Sequence, residues 1–249
     1  MMADVFRFSF NIAAWRAVSG RMAGEDQWAR WAAGALAASD VPPYRPAAEF
    51  LPPLKRRRLN FLAKLMCEAV WPLHGQFGGL PMVYASHDGE INRSFELWLS
   101  LWREQAVSPT SFGLSVHNAL PGQWSMLVGD KGEHTALAVG SDGLETALAE
   151  CCALLNEGKP RVLLVLADEP LDGAYAVAAE RAPFPYVLAM VLERGCAYQL
   201  ACLPDSDGID APYWGALDWI RFMLTGEPQY ERRYRGRVWR WCKGSEHHG

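Results

Sequence analysis

The sequence holds no CxxC pair, and no histidine stands at metal-ligand spacing near its six cysteines, Cys67, Cys151, Cys152, Cys196, Cys202 and Cys242. Neither a zinc site nor a disulfide framework is indicated, so reduced, mostly buried thiols are expected, with no metal and no cofactor. Long apolar runs are missing too. Nothing approaches a membrane span, and Phe8 to Trp15, bracketed by Arg7 and Arg16, is too short and too polar for a signal core. A cytoplasmic protein without a membrane span is the expectation. Charge of one sign is not in excess: 28 acidic against 24 basic residues leave a formal net charge of −4. That balance gives no general pull toward nucleic acid or an anionic membrane, so partners must be argued locally. No short-period repeat is present.

What the chain does have is material for a core. Half of its 249 residues are apolar, enough for one α/β domain over residues 1–249. Phe6, Phe8, Phe10 and Ile12 alternate with Arg7, Ser9 and Asn11, which predicts a strand over Val5–Ile12. Trp28, Trp31, Ala32, Ala35 and Leu36 predict a helix over Glu25–Ala38, followed by a Pro-rich loop over 41–53. Leu59, Leu62, Leu65, Met66, Ala69 and Val70 mark a second helix, Pro81–Ser86 a short strand, and Phe95, Trp98, Leu99 and Trp102 a third helix. Leu114 to Val128 is rich in small and apolar residues, and Thr135–Val139 reads as a buried strand. The turn Gly140-Ser141-Asp142-Gly143 leads into a helix with the stripe Leu144, Ala147, Leu148, Cys151 and Leu155, ended by Gly158.

Arg161–Ala167 is a continuous apolar run of the kind found in the middle of a covered sheet. Tyr186–Leu192 and Ala197–Leu203, joined through Arg194-Gly195, read as a hairpin. A helix over Tyr213–Leu224 and a strand over Arg237–Cys242 complete the chain. Alternating strands and helices with late antiparallel strands predict an α/β fold with a mixed sheet and helices on both faces.

The segment Ser108–Met126, SPTSFGLSVHNALPGQWSM, resembles the signature of β-ketoacyl synthase-like N-terminal domains of aryl polyene type clusters. Its most specific part is Ser115–Gly122. Ala85–Ile91 and the ending Trp219–Gly226, followed by a basic, Trp-containing strand, fit the same family, so the resemblance covers nearly the whole chain. It implies the N-terminal half of a thiolase-like fold, in a heterodimer with a full-length ketosynthase that elongates acyl chains on an acyl carrier protein. In such a fold a strand, a tight turn and a helix present a cysteine where the helix N-terminus favours a thiolate and a developing oxyanion. The equivalent turn here, Gly140, Ser141, Asp142 and Gly143, has no cysteine. Asp142 with Glu145 reads instead as an N-cap of capping-box character, and an anionic Asp142 would repel an oxyanion.

The two histidines such enzymes draw from the second half of the fold are not represented, so no catalytic residue is assigned. The resemblance therefore implies a chain-length-factor-like subunit that shapes the partner's acyl tunnel. Phe112, His117, Asn118, Leu120, Gln123 and Trp124 are the implied tunnel or interface residues. Alternatives remain. His117 and Asn118 read either as a catalytic pair or as groups that satisfy nearby backbone, the latter carrying more weight. Cys151 lies on a helix stripe and reads as core. Lys55 with Arg56, Arg57 and Arg58 is a solvated helix start or a docking patch for an acidic carrier protein, and Arg232, Arg233, Arg235, Arg237 and Arg240 pose the same choice. Two rival functions stay open: a small acyltransferase or acyl-hydrolase using Ser141 or a cysteine, and a carrier-binding scaffold. The 11 tryptophans are compatible with a large permanent contact.

Overall fold

A computed structural model describes residues 6–175, 182–205, 208–211 and 215–244. The aromatic alternation of the N-terminus forms β1 (Phe6–Ser19), longer than predicted. Helix α1 (Glu25–Ala32) stops short of Ala38. Gly34 takes a left-handed conformation, and the Ala35 N–H donates to the Arg30 carbonyl (2.9 Å) and that of Gly34 to Trp31 (3.0 Å), a closure that ends the helix. After the Pro-rich loop come α2 (Pro53–Arg56) and α3 (Phe61–Phe77), the latter capped by Asn60. The chain continues through β2 (Met82–Ser86), α4 (Ile91–Glu104), α5 (Pro109–Gly113), α6 (Ala119–Val128) and β3 (His134–Ala138). It closes with α7 (Gly143–Asn156), β4 (Arg161–Asp168), β5 (Tyr186–Pro204), α8 (Leu217–Thr225), β6 (Gln229–Tyr234) and β7 (Arg237–Lys243). The predicted start of the last helix at Tyr213 lies outside the described residues.

The strands form one mixed sheet in the order β3-β2-β4-β5-β7-β6, with β1 also paired to β5. β2 runs parallel to β3 and β4, while β5 is antiparallel to β1, β4 and β7. The apolar run of β4 sits in the middle and feeds two cores. Val162, Leu164 and Leu166 pack with Leu144, Ala147, Leu148 and Cys151 of α7 on one face. Leu163, Val165 and Ala167 pack with Leu62, Leu65, Met66 and Ala69 of α3 on the other. Successive strand side chains point to opposite faces, so a strand covered on both sides must be apolar throughout.

Two expectations are corrected, and one strand is added. The hairpin over 186–203 is one strand: Tyr186 to Glu193 pairs with Ser19 to Asn11, and Tyr198 to Cys202 with Phe10 to Phe6. Both halves find the same long partner, so residues 194–197 bulge outward instead of turning back. The bulge is held by Asn11, whose Oδ1 accepts the Ala197 N–H (3.0 Å), and by Arg194, which donates to the Leu155 carbonyl at 2.9 and 2.6 Å. β3 is not a buried strand. It pairs with β2 alone among the described residues, and its side chains are half-buried, with Ala138 exposed. The last strand has a partner, β6, joined to it by Arg235 and Gly236, both left-handed, as a two-residue turn between twisted strands requires.

Candidate functional site

The turn from β3 into α7 is where a helix N-terminus would stabilise a nucleophile, and two carboxylates occupy it. Asp142 is 2% exposed and Glu145 1%. Their expected capping box does not form, because Asp142 makes no side-chain cap bond. The carboxylates turn instead to the C-terminal hairpin. Asp142 accepts from the Trp239 indole (2.9 Å) and pairs with Arg237 (2.7 Å), and Glu145 accepts from the Trp241 indole (3.1 Å). Burial pushes the Glu145 carboxyl up, opposed by the charge of Arg232 and the Trp241 bond. Tyr234 closes over the turn so tightly that a Cβ on Gly140 would stand 2.9 Å from its hydroxyl. Ser141 has no hydrogen-bonded base among the described residues.

The cysteines offer no substitute nucleophile in the core. Burial pushes Cys67 and Cys152 up to about 12 and Cys151 well up, so none of these is a ready thiolate. Cys202 is buried as well, whereas Cys196 is exposed and Cys242 half-buried. Among the described residues, no group of three or more His, Cys, Asp or Glu side chains is placed to hold a metal ion, and no helix is long and apolar enough to cross a membrane.

The residues of the Ser108–Met126 signature separate into two sets. His117 donates through Nε2 to the Leu137 carbonyl (2.8 Å), tying the start of α6 to β3. Gly89 of the upstream signature packs so close that a Cβ there would lie 3.0 Å from His117 Nδ1, so the two signatures meet in space. Asn118 is exposed and makes no side-chain cap bond, so it does not act in concert with His117. Phe112 is 62% exposed. Leu120 and Trp124, by contrast, face inward: both are 2% exposed, and the Trp124 ring packs edge-on against Trp71 and His74 of α3. Their four-residue spacing puts them on the helix face that closes the chain's own core, which leaves them unable to line a partner's tunnel directly.

Gln123 leads to a feature that no local pattern suggested. It lines a cleft of about 700 Å³ between the end of α2 and the α5–α6 segment, together with Lys55, Arg58, Leu59, Pro109, Leu114 and Met126. Lys55 spans it by donating to the Leu127 carbonyl (3.0 Å). The basic cluster and the signature segment thus share one surface, although Arg56 and Arg57 stand outside the cleft lining.

Large apolar side chains are exposed on α2, α4, α5 and α6 and on the α5–α6 connection. Leu54, Trp98, Leu101, Trp102, Phe112, Val116 and Met126 are all at least 40% exposed. Helix α4 buries no residue at all. Its attachment is through its first turn, where Glu90, 1% exposed, bonds to Asn60 and Arg93, and Asn92 bonds to Pro170 and Asp172. Asp168, at the end of β4, accepts from Ser86, the His87 N–H (2.8 Å) and Tyr186. No role follows for these acids from the sequence alone: Glu90 falls within the Ala85–Ile91 signature, and Asp168 only ends an apolar strand before Glu169-Pro170.

Comparison with known proteins follows the same lines. The sequence profile described as "Beta-ketoacyl synthase, N-terminal domain" matches residues 28–242. No curated protein matches the chain. Among solved structures, the fold is similar to a chain of the "Ketosynthase (ApeO) in Complex with its Chain Length Factor (ApeC)" from Xenorhabdus doucetiae, with a TM-score of 0.82 at 22% identity over 95% of this chain and 100% of that one. A chain of a type II polyketide ketosynthase complex with its acyl-carrier protein, AntDE:AntF, aligns at a TM-score of 0.68 and 10% identity, over 94% of this chain and 99% of that one. One of the ishigamide ketosynthase/chain length factor aligns at 0.59 and 16% identity, over 80% and 68%.

Proposed function

The chain belongs to the β-ketoacyl synthase N-terminal domain family, and from that premise we propose that it is a non-catalytic, chain-length-factor-like subunit paired with a full-length ketosynthase in polyene or fatty acyl chain elongation. The turn at Gly140–Gly143 carries the reading. A working member would place a thiolate there, and then an oxyanion, on the strength of the helix N-terminus. Here Asp142 and Glu145 already put two buried carboxylates in that field, each bonded by an indole and flanked by arginine. The Asp142 carboxylate, paired with Arg237, disfavours a further negative charge beside it. The buried cysteines and the unassisted Ser141 argue against a stand-alone acyltransferase or hydrolase.

The exposed apolar residues of α2, α4, α5 and α6, together with the open edge of β3, support the pairing. Large exposed apolar areas normally mark a contact with another protein. The Xenorhabdus complex, whose matched chain is spanned end to end, has the form of assembly proposed. Phe112, His117, Asn118 and Gln123 then belong to the interface segment, with Leu120 and Trp124 bracing it from within. Phe112 is the side chain exposed enough to close the partner's acyl channel. Steric closure is the effective means of setting length, since each added CH₂ contributes only about 0.8 kcal/mol of binding. Arg56, Arg57 and Arg58 offer an acidic carrier protein a complementary surface. The assembly works in the cytoplasm.

The test is co-expression with a full-length ketosynthase from the same genome. A stable heterodimer is expected, with no decarboxylative condensation by this chain alone and turnover of the Ser141→Ala complex within a few-fold of the parent. Condensation by the isolated chain, or a soluble monomer at micromolar concentration that ignores the ketosynthase, would overturn the reading.

A further inference from the structure

The sheet has an open edge at β1, and a small pocket lies against it. Among the described residues β1 pairs with β5 alone. Backbone groups along an antiparallel strand point alternately toward the partner strand and away from it. The Ala17 carbonyl accepts the Trp28 indole N–H (2.9 Å) and the Ser19 N–H donates to the Met22 carbonyl (2.7 Å), so the odd-numbered residues at this end of β1 face away from β5. Trp15 to Ser19 pairs with Met190 to Tyr186 without a bulge, and Trp15 therefore shares that direction. Its N–H and carbonyl point outward, and no other element bonds to them among the described residues. The pocket there, about 300 Å³, is lined by Trp15, Trp28 and Leu224, by the small Ala17 and Ala23, and by Arg16 and Glu25. Both indoles are held in place. Trp15 stands edge-on to Trp219 and Trp28 edge-on to Trp31, each with ring centroids 5.5 Å apart. Arg16 and Glu25 are exposed, and neither has an ion-pair partner among the described residues.

We infer that this pocket binds a free α-amino acid with an aromatic side chain, which adds to β1 as a strand of one residue: its carboxylate accepts the Trp15 N–H, its ammonium donates to the Trp15 carbonyl and pairs with Glu25, and its ring lies against the two indoles. Opposite residues of an antiparallel ladder exchange both bonds through the N–H and C=O of a single residue, and a free amino acid carries a donor and an acceptor in that same relation. Its charges make both bonds charge-assisted, which strengthens them. Indoles that are already fixed offer ring contacts at little ordering cost. A volume of about 300 Å³ lies at the low end of small-molecule sites, which favours one residue over a longer peptide. The pocket belongs to β1, α1 and α8, away from the α4–α6 surface, so it stands whether or not the subunit pairs with a ketosynthase.

The experiment titrates the full-length chain, in whichever soluble form it purifies, alone or with the ketosynthase, by calorimetry with L-phenylalanine, L-alanine, 3-phenylpropanoate and 2-phenylethylamine. The last two are phenylalanine without its ammonium and without its carboxylate. Saturable one-site binding of L-phenylalanine is expected, at least tenfold tighter than each of the other three. Leu224→Trp, which fills the pocket from the end of α8, should weaken it at least tenfold, and Glu25→Gln at least fivefold. Both residues are exposed, so the variants should keep the parent's circular dichroism and thermal midpoint. Ile209→Ser, 90% exposed and outside the pocket, should leave binding unchanged. Absence of saturable binding overturns the proposal, as does equal affinity in the Leu224→Trp and Ile209→Ser proteins. Binding of 3-phenylpropanoate or 2-phenylethylamine as tight as that of L-phenylalanine overturns it too, because one end of the ligand would then go unrecognised.

Discussion

Glu169→Gln separates an electrostatic account of the end of β4 from a purely geometric one. Glu169 lies beside the first turn of α4, and its carboxyl is pushed from the usual 4.5 up to about 7. Burial is the main cause and the charge of Glu90 adds to it, while bonds to Asn92 and the charge of Arg93 pull the other way. The folded chain therefore holds this proton more tightly than the unfolded one. Its contribution to stability is complete below about 4.5 and is lost as the pH rises through about 7. The difference corresponds to roughly 3 kcal/mol as an upper bound, reduced because the side chain is half-buried and partly screened by water.

The substitution should thus be near neutral at pH 5 and stabilising by about 1–3 kcal/mol at pH 8. Urea denaturation at both pH values, at one protein concentration, measures the difference. Glu90 and Glu145 are pushed up by burial as well, so the comparison of parent with variant, and not the parent's own slope, isolates Glu169. A variant equally destabilised at both pH values would refute the reasoning and assign Glu169 a structural hydrogen-bonding role.

Trp124→Ala should cost roughly 3–5 kcal/mol of stability by opening a cavity against Trp71 and His74, measured by denaturation. Phe112→Ala, at an exposed position, should be nearly neutral while lengthening the chains that mass spectrometry finds on the carrier protein. An unchanged length distribution in the intact Phe112→Ala complex removes the tunnel role. Trp102→Glu, 73% exposed in α4, should leave the fold intact and weaken association with the ketosynthase about tenfold or more; sedimentation reads both. Trp241→Phe takes the indole donor from Glu145 and should cost roughly 1.5–3 kcal/mol, with most of that loss absent in a Glu145→Gln background.

Much of the architecture was legible because it is encoded over short distances. The run Arg161–Ala167 had to be a central strand, since a segment apolar on both alternating faces can only sit between two covering layers. The stripe Leu144, Ala147, Leu148, Cys151 and Leu155 marked the inner face of α7 for the same reason, and its missing cysteine was plain at Gly140–Gly143. The early end of α1 had a local signal, Gly34, that periodicity alone overrode. The pairing of β5 had none, because two apolar halves around Arg194-Gly195 suit a hairpin and a bulged strand equally until the length of β1 decides between them.

The site divides along the same line. Sequence by itself determined that no cysteine stands in the turn after β3, that a basic cluster precedes α3, and that the Ser108–Met126 segment is the distinctive part of the chain. Only the tertiary structure decided that Asp142 and Glu145 bond to indoles 97 and 96 residues away. It alone decided that Trp124 turns into the core while Phe112 stays in solvent, and that Lys55 reaches the carbonyl of Leu127, 72 residues on, to frame a cleft. Periodicity reports which face of an element is apolar. Which of several apolar or charged faces is covered depends on the elements the fold brings against it, and those contacts join residues with no neighbourhood in the sequence.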